Sequence, residues 1–124
     1  MTILIQTEEF ELGGLYAHLN KKKLLDGVTV KLDRIEKVGR LSWEEVIRIF
    51  LKIGDIAWQE VVKEIVKYAF KKMLEVVLAK PHVEVNFISG GTEVLPHTMG
   101  ESKIAARLIE LVETGTVKSI RFNS

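Results

Sequence analysis

The sequence predicts an α+β domain, with a small mixed sheet of about four to five strands covered by a long, kinked central helix and two shorter helices. Short segments in which apolar and polar residues alternate predict the strands. The stretch Ser42–Ala79 holds both tryptophans, and its polar residues recur at steps of three and four, as on one side of a helix. No stretch of linker composition divides the chain, so residues 1–124 are expected to form a single domain.

The first part of the chain predicts two strands and one helix. Ile3–Ile5 is short and rich in β-branched residues, which favours a strand. Leu15–Leu25 has leucines at near-helical spacing and lysines towards its end, where cations suit the helix dipole. The pair Gly13-Gly14 is expected to interrupt the pattern before this helix. Val28–Asp33 alternates cleanly, which predicts a strand with one buried face.

The central stretch begins with the pattern of a capping box. Ser42 is followed three residues later by Glu45, so each side chain could bond the backbone N–H of the other residue. One straight helix over the whole stretch would be about 57 Å long, against a domain diameter of roughly 35 Å. We therefore expect a kink at Gly54 that separates helices Ser42–Ile53 and Asp55–Ala79. An unbroken helix remains the alternative if the overhang is a dimer contact.

The last part of the chain predicts a hairpin, a helix and a final strand. Val83–Ile88 and Thr92–Leu95 flank Ser89–Gly91, whose paired glycines can adopt the positive φ angles of a hairpin turn. Glu101–Glu113 has apolar residues on one helical face, and Val117–Phe122 is a strand candidate. The predicted order of elements is therefore β-α-β-α-β-β-α-β.

Composition and charge narrow the functional classes. The net charge is +1, and acidic residues lie between the lysines of the central stretch, a pattern that does not favour nucleic-acid binding. The absence of cysteine excludes disulfides, thiolate nucleophiles and thiolate metal sites. No apolar run is long enough to cross a bilayer. We therefore expect a cytoplasmic protein that does not bind membranes.

Two loops carry the candidate ligand-binding residues. The backbone N–H groups of the glycine pair could hold an anion, although a hairpin turn explains the same residues and is favoured. The second loop places polar groups at a helix N-terminus, where they could hold an anion. Glu101 works against an anion there, and capping of the helix by these residues is the favoured interpretation. The candidate residues are Ser89, Gly90, Gly91, His97, Thr98 and Ser102.

No arrangement of residues in the sequence indicates catalysis. His18, His82 and His97 lack the spacing of a metal site, although Glu93 and His97 could converge. No serine or threonine lies in a recognisable nucleophile motif. We therefore predict no metal, no cofactor and no catalytic residue, and enzymatic activity is not favoured.

The central helix predicts a protein contact. Its apolar residues lie on more than one side, whereas a small sheet covers only one side of a helix. Each buried Phe or Leu contributes roughly 1.5–3 kcal/mol, so a leftover apolar stripe favours association. We expect a homodimer or a hetero-complex through Val66, Phe70 and Leu74. In the alternative, a kink at Gly54 folds the two halves together and buries all of these residues internally.

The segment from Ile56 to Leu95 resembles the small bacterial modules called effector-associated constant components. The resemblance rests on Val66–Ala69, Val83–Phe87 and Gly91–Val94, in the order of a long helix followed by a strand–Gly-Gly–strand hairpin. It implies a non-catalytic adaptor in a bacterial or phage conflict system and supplies no catalytic residues. The favoured function is accordingly a non-enzymatic interaction or adaptor module.

Two other segments, Val28–Glu36 and Leu111–Val117, are similar to the viral ring nucleases that degrade cyclic oligoadenylate. The Gly-His-x-x-Thr segment that supplies the catalytic histidine of that family has no counterpart in this chain. The alternative function is a small-ligand or cyclic-nucleotide-directed binding protein or nuclease that uses the Ser89–Gly91 and His97–Ser102 loops.

Overall fold

Strands and helices are interleaved along the chain. The structure is a computed structural model that describes residues 2–22, 29–32, 36–38, 42–50 and 57–124. Its elements in chain order are β1 (Thr2–Thr7), α1 (Leu12–Lys21), β2 (Thr29–Leu32), β3 (Glu36–Val38), β4 (Ser42–Phe50), α2 (Ala57–Met73), β5 (His82–Phe87), β6 (Thr92–Leu95), a 3-10 helix (His97–Met99), α3 (Glu101–Glu113) and β7 (Val117–Asn123).

The strands form one mixed sheet in the order β2-β4-β1-β7-β5-β6, and β3 also pairs with β4. Within the described residues, β1 runs parallel to β7, while the other strand pairs are antiparallel. The predicted α+β class with a mixed sheet is confirmed. The five predicted strands are present as β1, β2, β5, β6 and β7, and β3 and β4 are additional strands.

One face of the sheet is apolar and the other is largely polar. Ile47, Ile5, Ile120 and Val85 lie opposite one another across four neighbouring strands, and all four are buried. Side chains alternate between the two faces of a strand, so their neighbours point away from the helices. That outer face includes Gln6, Glu84 and Arg121, which are partly exposed.

Helices α1, α2 and α3 cover the apolar face, with α2 in contact with both α1 and α3. Their buried side chains and those of the sheet form one core cluster, to which α1 contributes Leu15 and Leu19 and α3 contributes Leu108 and Val112. Trp58 at the start of α2 is buried. The core therefore lies between one layer of helices and one sheet.

The predicted helix Ser42–Ile53 is wrong, because Ser42–Phe50 is strand β4. It pairs with β1 on one side and with β2 and β3 on the other, so its backbone donors and acceptors are used in the sheet. Ser42 and Glu45 therefore do not form a helix cap. The predicted kink at Gly54 lies outside the described residues.

Two of the other predicted helices are present, but they begin or end at different residues from those predicted. Helix α2 ends at Met73, whereas the sequence pattern predicts a helix that continues to Ala79. Helix α1 begins at Leu12, so Gly13 and Gly14 lie inside it and do not interrupt it. This helix ends at Lys21, with Lys22 as its C-cap, whereas the predicted end at Leu25 lies outside the described residues.

We expect Gly13→Ala to raise the free energy of unfolding by about 0.5 kcal/mol, because alanine favours a helix over glycine. No atom lies within 4 Å of the position of the added methyl group. At Gly14 the hydroxyl oxygen of Tyr68 lies where the added methyl group would be. Gly14→Ala is therefore not expected to raise the free energy of unfolding. Urea unfolding of the two variants measures the difference, and equal stabilisation by both would contradict the close approach of Tyr68.

Candidate interaction site

The Ser89–Gly91 segment forms the turn between β5 and β6. Gly90 has φ +100°, a left-handed conformation that favours glycine. Its N–H donates to the carbonyl oxygen of Phe87 at 2.9 Å, and the Phe87 N–H donates to the carbonyl oxygen of Gly91 at 2.9 Å. The Gly90 N–H is therefore engaged within the turn, and the geometry is that of the hairpin favoured from the sequence.

The second predicted loop lies at the other end of β6. His97 and Thr98 belong to the 3-10 helix, and Gly100 precedes α3 with φ +83°. Because β6 has four residues at about 3.3 Å each, roughly 13 Å of strand separates this loop from the Ser89–Gly91 turn. The structure therefore does not bring the two loops together into one site.

Residues of the second loop border a groove between α2 and α3, which we call the α2–α3 groove. It consists of two adjoining open depressions of about 440 and 480 Å³, which share Lys67 and Glu101. The first is lined by Lys63, Lys67, Glu101, Ser102, Ala105, Ala106 and Ile109. The second is lined by Lys67, Phe70, Lys71, Leu74, Ala79, Pro81, His97, Gly100 and Glu101. The groove thus combines a largely apolar lining with a row of lysines from α2.

Exposed apolar side chains are concentrated immediately after α2, in residues 74–78, which we call the 74–78 segment. The exposed fractions are Leu74 60%, Val76 58%, Val77 87% and Leu78 91%. Backbone hydrogen bonds hold the segment in a series of turns, including Leu74 N–H to Phe70 O at 2.9 Å and Ala79 N–H to Val76 O at 3.3 Å. The segment therefore presents an ordered apolar surface at one end of the groove.

The three residues of the predicted interface have different environments. Val66 is fully buried and Phe70 is 6% exposed, so both belong to the core of the described chain. Leu74, one turn further along, is exposed and lines the groove. Of the predicted edge, Leu74 is thus the residue that a partner can reach without rearrangement of the helix.

A cluster of polar residues that the sequence analysis missed joins α1 to α2. His18 Nε2 and Glu64 Oε2 lie 3.0 Å apart, and Lys22 Nζ lies 3.7 Å from the other carboxylate oxygen of Glu64. Burial raises the pKa of Glu64. The hydrogen bond with His18 and the charges of Lys22 and Lys67 together lower this pKa by more than burial raises it, so the net shift is downward. Because His18 and Glu64 are 46 positions apart, no local spacing in the sequence indicated this contact.

A second ion pair joins the hairpin to α3. Arg107 donates from Nε and Nη2 to the two carboxylate oxygens of Glu93, both at 2.9 Å, and from Nη1 to Glu110 at 3.0 Å. The hydrogen bonds from Arg107 lower the pKa of Glu93, and those to Glu93 and Glu110 raise the pKa of Arg107. Glu93 therefore binds Arg107, whereas the sequence had suggested convergence with His97.

We expect Glu93→Gln to weaken the dependence of stability on acid pH. A carboxylate whose pKa is lowered in the folded state contributes stability above its ordinary value of 4.5, and this contribution is lost as the pH falls through the folded-state pKa. The parent should therefore lose more stability below about pH 4.5 than Glu93→Gln does, when urea midpoints are compared with those at neutral pH. Glu113→Gln, a change at an exposed residue of α3, the helix that carries Arg107, is the control. Equal acid sensitivity of Glu93→Gln and the parent would contradict the expectation.

Comparison with known protein families, with curated proteins and with solved structures finds no match to this chain. The two resemblances noted in the sequence therefore remain predictions. Among the residues that the structure describes, no group of three or more histidine, aspartate or glutamate side chains could hold a metal ion. No helix in that part of the chain is long and apolar enough to cross a membrane.

Proposed function

We propose that this chain is a cytoplasmic, non-enzymatic protein-interaction module that binds a protein partner through the 74–78 segment and the adjoining α2–α3 groove. The observation that carries the proposal is the exposure of Leu74, Val76, Val77 and Leu78 within five consecutive positions. Scattered exposed apolar residues are ordinary, but contiguous apolar patches on protein surfaces mark interaction sites. A partner that covered this segment would remove its apolar side chains from water.

The backbone of the segment supports the same proposal. Leu78 has φ +63°, in the left-handed region that costs a residue other than glycine about 1–2 kcal/mol. Its side chain is exposed, so burial in the core does not offset this cost. Backbone strain of this kind is concentrated at functional sites. A bound partner that buried Leu78 would provide the compensation.

We expect Leu78→Gly to stabilise the free protein and to weaken partner binding. Glycine relieves the left-handed strain of about 1–2 kcal/mol but loses about 0.5–1 kcal/mol in chain entropy, which leaves a gain of about 0.5–1 kcal/mol. Val77→Gly is the matched control, because no positive φ is present there to be relieved. Urea unfolding measures both variants, and destabilisation by Leu78→Gly would show that its side chain supports the fold.

An adaptor role in a bacterial or phage conflict system is the specific form of this proposal. The resemblance that implies it covers the segment from Ile56 to Leu95, and the 74–78 segment lies within those positions. That resemblance rests on α2 and the β5–β6 hairpin, which flank the 74–78 segment in the chain.

Photo-crosslinking in the cells from which the gene comes tests the proposal. A photoreactive amino acid at position 77 is expected to give a discrete protein adduct, and the additional change Leu74→Ser should reduce it. The same amino acid at Ile88, which is 68% exposed at the turn between β5 and β6, serves as the control. An adduct of twice the mass of the chain identifies a second copy as the partner. Equal adducts from both positions, or adducts with lipid alone, would contradict the proposal.

A further inference from the structure

The shape of the α2–α3 groove restricts what it can bind. One wall runs along α2 from Lys63 to Lys71, and the other runs along α3 from Glu101 to Ile109. Each wall spans eight residue steps, or about 12 Å at the rise of a helix. Small side chains, Ala105 and Ala106, line the middle of the groove. A partner helix of two to three turns fits this length and concave shape, and places its apolar residues at helical spacing along the groove.

The charge of the groove restricts its ligand further. Lys63, Lys67 and Lys71 recur every fourth position and line it from the α2 side. Lys63 has one ion pair, with the exposed Glu60 at 3.4 Å, and the charge of Lys67 acts on Glu64, while Lys71 has no ion pair among the described residues. Glu101 is the acidic residue among those that line the groove. The rim is therefore positively charged, and a partner with acidic residues beside its apolar stripe complements it.

On the basis of the proposed function, we infer that the α2–α3 groove binds an acidic amphipathic helix of a partner protein. The apolar face of that helix lies on Ala106 and Ile109, which are the more exposed apolar residues of the α3 wall, and its carboxylates pair with Lys67 and Lys71. Leu74 and the rest of the 74–78 segment extend the apolar contact beyond the end of α2. A flat anionic membrane would meet the exposed segment and the lysines, but it would not enter the concave space between the two helices.

Selection from a displayed library of helical peptides tests this assignment. The library fixes leucine at every third or fourth position, which forms an apolar stripe, and randomises the positions on either side. Selection on the purified protein is expected to enrich aspartate and glutamate at the randomised positions. A selected peptide should lose about tenfold or more in affinity for the double variant Lys67→Glu/Lys71→Glu.

Matched controls separate the groove from general charge effects. The double variant Lys21→Glu/Lys118→Glu makes the same change in net charge at exposed lysines outside the groove, and it should retain peptide affinity. Peptides without acidic enrichment, or equal weakening by both double variants, would overturn the inference. Failure to select any groove-binding peptide would overturn it too, as would binding to anionic phospholipid vesicles alone.

The outcomes for the occupant and for the proposed function are distinguishable. If a protein is crosslinked at position 77 but selected peptides lack acidic residues, the interaction module stands and the acidic helix is excluded. If position 77 gives no protein adduct, the proposed function fails whatever peptides the groove selects in isolation.

Discussion

Replacing Phe122 with alanine is expected to lower the free energy of unfolding by about 3–5 kcal/mol. Phe122 is fully buried on β7, between Thr7 of β1 and Val83 of β5 in the sheet register. Its ring lies 6.3 Å from that of Phe10, centroid to centroid. Truncation therefore removes apolar contacts at the centre of the sheet, where the paired backbones restrict collapse around the cavity. Urea unfolding at neutral pH measures the change.

Two control substitutions test whether the loss of stability comes from the buried volume of the Phe122 ring. Phe122→Leu retains most of the apolar volume and should cost less than about 1.5 kcal/mol. Ile88→Ala changes an exposed apolar residue and should alter the stability by less than about 0.5 kcal/mol. If Phe122→Ala were no more destabilising than Ile88→Ala, the result would contradict the burial of Phe122 between the helices and the sheet.

In the strands that the sequence predicted correctly, apolar and polar residues alternate in a pattern that does not fit one face of a helix. Val83 and Val85 are buried while His82 and Glu84 are partly exposed, as a half-covered strand requires. In β4 the side chains of Val46, Ile47 and Ile49 are all buried, so strict alternation is absent and the apolar residues also fit a helical face. The Ser42–Glu45 spacing then suggested a cap. The β-branched residues around Arg48 were the signal that favoured a strand.

Part of the candidate site was predictable from the sequence, and the part that was not depends on where helix α2 ends. The sequence predicts a contact surface along the central helix, and Leu74, one residue beyond the end of α2, lines the groove. A helix that continued to Ala79, as the sequence predicts, would carry Val76 and Val77 among its apolar residues. The helix ends at Met73, so helical phase no longer determines which side chains are buried beyond that residue. Helix boundaries depend on tertiary contacts as well as on local pattern, and exposure of the 74–78 segment follows from the boundary.

The second large effect is expected for Phe70→Glu, which should destabilise the protein by more than about 3 kcal/mol. Phe70 is almost fully buried, so the change removes an aromatic side chain from the core and places a carboxylate there. Leu74→Glu makes the same chemical addition one turn later, where the parent side chain is 60% exposed. It should change the stability by less than about 0.5 kcal/mol. Urea unfolding of both variants gives the two values.

The same pair of variants distinguishes an interface from a core. Sedimentation at micromolar concentration reports self-association, and the crosslink at position 77 reports a different partner. Leu74→Glu should weaken either association while the fold remains intact, because it adds a charge to the apolar surface that a partner would cover. Phe70→Glu would lower association through unfolding, which the urea curve identifies. If Leu74→Glu destabilised the protein as much as Phe70→Glu, residue 74 would belong to the core. If it changed neither stability nor association, the contact surface would lie elsewhere on the molecule.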